Sequence, residues 1–97
     1  MEKFIYLNNL FDIYQDLLTE KQQMYFKDYY FNNLSYGEIS DKYNISRNAI
    51  FRQLKIIENK LINYEEKLKL LEKKQKINDI IEIVKDKRIK DALLNIF

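Results

Sequence analysis

Ninety-seven residues make a single domain, and a chain of this size buries only about two-thirds of its unfolded surface, so a second subunit would add appreciable stability. The absence of cysteine and histidine removes disulfides, thiolate and imidazole metal ligands and the commonest general base near neutral pH; no enzyme chemistry, metal or cofactor is expected. The net charge of +2 hides an asymmetry: residues 1–46 carry four basic and seven acidic residues, residues 47–97 thirteen and eight. One glycine and no proline argue against an all-β protein, whose hairpins need both, and leave an all-α fold.

In chain order, Phe4, Leu7, Phe11, Tyr14 and Leu18 recur at steps of three and four, with Leu10 and Leu17 widening the stripe, and predict an amphipathic first helix over 4–18. Thr19 with Gln22 is spaced as a capping box for a second helix, which Asn32 and Asn33 end. Its rings, Tyr25, Phe26, Tyr29, Tyr30 and Phe31 beside Met24, suit stacking on bases, but their helical spacing reads more simply as core.

The run Ser35–Lys55, SYGEISDKYNISRNAIFRQLK, has the spacing of a helix-turn-helix. Ser35 with Glu38 forms a second capping box, Asn44 tolerates the left-handed backbone of a tight turn, and Ser46 caps the next helix. Ile39 and Tyr43 lie one turn apart on the first of these helices and Ile50 and Leu54 one turn apart on the second, so both bury a stripe in one core.

From Arg47 no breaker occurs before about Gln75, and Ile50, Leu54, Ile57, Leu61, Tyr64, Leu68 and Leu71 alternate steps of four and three. That spacing predicts a rod of about 40 Å whose second half needs a further surface: the first helix, the C-terminal helices, or the same helix of another chain. Leaving Leu61, Tyr64, Leu68 and Leu71 wet would forfeit on the order of 6 to 12 kcal/mol, so these four are expected to form a dimerisation seam. Residues 19–60 are then the helix-turn-helix core and 61–97 a C-terminal extension, with Asp86 capping a last helix. Lysines 73, 74 and 76, and the carboxylate pairs Glu65 with Glu66 and Asp79 with Glu82, read as a solvated face.

With Ile50, Leu54 and Ile57 inward, steps of about 100° put Asn48, Arg52, Lys55 and Asn59 on the far side, flanked by Arg47 and Phe51. Arg pairs with guanine, Asn with adenine, Phe51 suits a thymine methyl and Lys55 a phosphate, so Arg47, Asn48, Phe51, Arg52 and Lys55 are the candidate nucleic-acid contacts. Glu38 and Asp41 on the preceding helix oppose a phosphate backbone if they face it.

The stretch Leu18–Leu61, in which LTEKQ, LSYGEIS and NIS follow in order, resembles the promoter-reading region 4 of bacterial sigma factors. Together with the preceding NNLFDIYQDLL and the following NYEEKLKLLEK it looks like the YlxM family of small bacterial helix-turn-helix proteins, over roughly residues 7–75. The resemblance implies an all-helical dimer connected with the signal recognition particle pathway, and places Arg47, Asn48, Phe51, Arg52 and Lys55 at the positions that face DNA. Ala49 departs from the hydroxyl residue common in sigma-like domains, removing one phosphate contact. The expected protein is a cytoplasmic helix-turn-helix regulator, homodimeric, binding DNA or RNA and partnered with components of that particle. The alternative is a protein or RNA interaction module of the particle that does not read promoters. No segment resembles a signal peptide or is long enough to span a bilayer, so no membrane partner is expected.

Overall fold

Polar caps decide where four of the six helices begin. In the computed structural model, which describes residues 2–96, α1 spans Glu2–Tyr14, α2 Glu20–Tyr30, α3 Tyr36–Tyr43, α4 Arg47–Leu68, α5 Leu70–Ile83 and α6 Lys87–Leu94. Thr19 and Gln22 form the expected capping box at 3.1 Å in both directions. Ser35 and Glu38 do the same at 3.1 and 3.0 Å. The Ser46 hydroxyl accepts from the Ala49 N–H at 3.0 Å and the Asp86 carboxylate from the Arg88 N–H at 2.8 Å. Each satisfies a donor that the first turn of a helix leaves open.

The turn between α3 and α4 depends on Asn44, whose φ of 56° lies in the left-handed region. Its N–H and that of Ile45 return to the Ser40 carbonyl, and the Ser40 hydroxyl donates to the Ile45 carbonyl. The helix-turn-helix is therefore closed by bonds among residues at most five apart.

Helix α4 is the spine, packed against α1, α2 and α3. Ile50, Leu54, Ile57 and Leu61 are buried along one stripe and meet Leu7, Leu10, Phe11 and Tyr14 of α1, Tyr25, Phe26 and Tyr30 of α2 and Ile39 of α3 in one core. Of the residues read as core from their spacing, Tyr25, Phe26 and Tyr30 are buried and Tyr29 is partly so: Phe26 stacks on Phe11 at 4.2 Å and on Tyr30 at 4.3 Å. Phe31 and Met24 are exposed. The buried Asp28 carboxylate ties α2 to α3, accepting from Tyr43 at 2.5 Å, Lys42 at 3.0 and 3.1 Å and Asn32 at 3.1 Å.

The structure corrects the sequence reading at two places. The first helix stops at Tyr14, a 3-10 turn covers Gln15–Leu17, and Phe4 and Leu17 are exposed rather than part of the buried stripe. The larger correction concerns the long helix, which ends at Leu68 because Lys69 turns left-handed with φ 54°. Opposite that break the Tyr14 hydroxyl accepts from the Leu70 N–H at 3.1 Å and donates to Glu65 at 2.7 Å. The Glu65 carboxylate in turn accepts from the N–H groups of Leu71 and Glu72 at 3.0 and 3.2 Å. These bonds satisfy the open first turn of α5 and offset the cost, about 1–3 kcal/mol, of a left-handed non-glycine residue.

The break folds α5 onto α1, and the proposed seam is largely consumed within the chain. Leu61 and Leu71 are buried in the core, and Tyr64 lies 5.8 Å from the Tyr14 ring with its hydroxyl donating to the Leu17 carbonyl at 3.3 Å. Of the four residues assigned to dimerisation, Tyr64 is partly covered and Leu68, 45% exposed, stays open. An intrachain surface, α1, takes the burial expected from a second chain.

Candidate nucleic-acid interface

Because Ser46 caps α4 and its apolar stripe faces the core, the first two turns of α4 present their other side to solvent. Arg47, Asn48, Phe51, Arg52 and Lys55 are all exposed there, as the helical steps from Ile50 and Leu54 predict. Asn59, one turn further on, is exposed as well.

Arg47 folds back over the first turn of α3. A Cβ at Gly37 would stand 2.8 Å from a terminal guanidinium nitrogen and 2.9 Å from its central carbon, so the missing side chain at 37 is the seat of Arg47. The φ of Gly37 is not positive, so close approach and not backbone freedom is what glycine supplies here. Ser35, Tyr36, Gly37, Arg47, Asn48 and Phe51 together line a shallow cleft of about 370 Å³ between the helices. Behind it Phe51 meets Tyr36 edge-on at 5.7 Å, and Tyr36 stacks on Tyr29 at 5.2 Å. The neighbouring Tyr29 hydroxyl, followed by burial, pushes the Tyr36 phenol up to about 12, so it stays neutral at any physiological pH.

Lys55 is less free than the arginines. Its ammonium lies 3.7 Å from Glu58 and 5.6 Å from the centre of the Phe51 ring, with half of the side chain exposed. Glu58 also accepts from Tyr30 at 2.5 Å and lies 3.8 Å from Lys3. Burial, and then this bond to Glu58, raise the Tyr30 phenol well above its ordinary range. The Lys55–Glu58 spacing of three residues was legible in the sequence, whereas the approach of Tyr30 and Lys3 was not, since both come from other helices. Among the described residues neither Arg47 nor Arg52 makes an ion pair. Of the two acids on α3, Glu38 is engaged with the Ser35 N–H and Asp41 is exposed. Ala49 leaves its N–H to Ser46 and brings no hydroxyl of its own.

The helix-turn-helix geometry agrees with sequence comparison. A family model described as "Putative helix-turn-helix protein, YlxM / p13 like", the UPF0122 family, matches residues 1–95. The chain belongs to the UPF0122 family. A UPF0122 protein of Halalkalibacterium halodurans is 42% identical over 92 residues, 95% of this chain and 84% of the relative. Another, of Geobacillus kaustophilus, is 44% identical over 86 residues, 89% and 78% of the two chains. A third UPF0122 protein, of Shouchella clausii, is 48% identical over 73 residues, 75% and 67%. Membership of UPF0122 thus covers the α5–α6 extension as well as the helix-turn-helix. Among the described residues no helix is long and apolar enough to cross a membrane, and no cluster of acidic residues is arranged to hold a metal.

Proposed function

We propose that the chain is a non-catalytic, cytoplasmic nucleic-acid-binding regulator that works as a homodimer and contacts duplex DNA through the outer face of α4. The observation that carries this reading is the exposed set Arg47, Asn48, Phe51 and Arg52 on the second helix of a helix-turn-helix, with both arginines free of acidic partners among the described residues. In this reading Arg52 and Asn48 reach base edges, Phe51 gives apolar contact, and Arg47 with Lys55 neutralises phosphates. Its place in protein targeting, through the signal recognition particle, is supported by the resemblance to YlxM.

Lys55 beside Glu58, and Glu38 capping the start of α3, weaken the positive potential of this face and favour a second reading: an interaction module for structured RNA or protein of that particle. Crosslinking the protein in cells and sequencing the attached nucleic acid supplies the ligand. On that ligand Arg52→Ala is expected to cost about 1–3 kcal/mol of binding with no change in melting temperature. Competition between structured RNA and the duplex separates the two readings. No detectable binding to either at low salt overturns the first reading and the RNA form of the second.

A further inference from the structure

Full burial stops at Leu71. None of the described residues beyond it is buried, and Ile80, Ile83, Ile89, Leu94 and Ile96 stand 47–77% exposed on α5, α6 and the residues that follow. Helix α6 has eight residues and lies against α5. Isolated helices shorter than about 12–15 residues are marginal in water, so α6 needs more support than one half-exposed neighbour supplies.

The surface of the whole chain carries the same message. A compact monomer of 12.0 kDa exposes about 6,000 Å², whereas this chain exposes 7059 Å². Its radius of gyration is 16.7 Å, against about 12.5 Å for a compact domain of 97 residues, and its extents are 54 × 25 × 24 Å. The excess of roughly 1,000 Å² is close to the roughly 800 Å² that each partner contributes to a standard interface.

The charges on the hairpin exclude two kinds of occupant, and the area left open matches a second copy. Residues 70–96 carry seven basic and five acidic side chains, interleaved along both helices. A nucleic acid or an anionic bilayer attracts one sign of charge, whereas a two-fold contact sets residue i against j and j against i and accommodates a mixture. We infer that the α5–α6 hairpin, through Ile80, Ile83, Ile89, Leu94 and Ile96, is the surface on which a second copy of this chain docks. The inference rests on the two-copy reading and replaces the seam of α4 as its site.

Light scattering on the full chain and on the double variant Ile83→Glu, Ile89→Glu tests it, with Leu17→Glu as an exposed apolar control away from the hairpin. The expected result is twice 12.0 kDa for the wild type and the control at micromolar concentration, and 12.0 kDa for the hairpin variant. A hairpin variant that keeps the doubled mass overturns this surface while leaving the two-copy reading intact. A wild type of single mass at every concentration overturns both. Amide exchange on the unmodified chain provides a measure that does not depend on the variant folding: protection over 80–96 rises with protein concentration, while that of α2 and α3 does not. Unchanged protection over 80–96, or co-sedimentation of the chain with anionic phosphatidylserine vesicles in place of self-association, likewise overturns it.

Discussion

Arg47 rests on the first turn of α3 because residue 37 has no side chain, and that single absence links the two helices of the helix-turn-helix. A methyl group there meets the mobile end of an arginine and not backbone, so the guanidinium gives way and the fold does not. Gly37→Ala is therefore expected to hold or raise stability, by up to about 0.5–1 kcal/mol from the better helix residue, while weakening nucleic-acid binding through a displaced Arg47. Thermal melts and a binding titration on the same variant check both halves. Equal loss in the two would mean that Arg47 braces the fold and contributes nothing to recognition. The exposure of the candidate contacts was legible in the sequence, since exposure on a helix follows from which neighbours are apolar. The pairing of Lys55 with a Glu58 that also holds Tyr30 and Lys3 was legible only in part, because three helices meet at that carboxylate.

Between elements, two carboxylates act as clasps. Burial by itself would raise the Asp28 carboxyl, but the hydrogen bonds from Tyr43, Lys42 and Asn32 outweigh it and hold the group below its ordinary value. A depressed folded pKa stabilises above the unfolded value of about 3.9 and is lost as pH falls through the lower folded value. Acid titration of stability should thus show a loss beginning near that carboxylate range, which Asp28→Asn flattens while lowering stability at neutral pH. Tyr14 and Glu65 form the second clasp, holding the start of α5. Tyr14→Phe removes a donor to a carboxylate and an acceptor for a backbone N–H, for an expected loss of about 1–3 kcal/mol in urea denaturation at pH 7. Burial, and then the bond to Glu65, push the Tyr14 phenol up to about 12. Its raised folded value stabilises below the unfolded value of about 10 and is lost between there and about 12, an alkaline decline that the phenylalanine variant lacks.

For the whole molecule, the balance of charge sets how binding responds to salt. A dimer that offers Arg47 twice neutralises two phosphates, for a log–log slope of affinity against salt near roughly −2; release of Lys55 from Glu58 onto the backbone makes four and steepens it toward roughly −4. Measured on duplex DNA, a slope near zero would exclude the phosphate contacts assigned to these residues. Lys55→Ala is expected to leave the slope near roughly −2 if the ion pair with Glu58 persists in the complex, and to flatten a slope near roughly −4 toward −2 if it does not.

Local chemistry settled much of this protein in advance. The caps at Thr19, Ser35, Ser46 and Asp86, the left-handed Asn44 and the inward stripe of α4 all act within one or two helical turns, so the residues that decide them are adjacent in the chain. The end of α4 at Leu68 had no such local sign. Lys69 is neither glycine nor asparagine, and what holds it left-handed is a tyrosine on α1, more than fifty residues earlier, bonded to Glu65 and to the start of α5. Folding that break back placed Leu61 and Leu71 in the core and left the isoleucines of α5 and α6 at the surface. Periodicity identifies which side chains need burial, but which surface covers them depends on long-range packing.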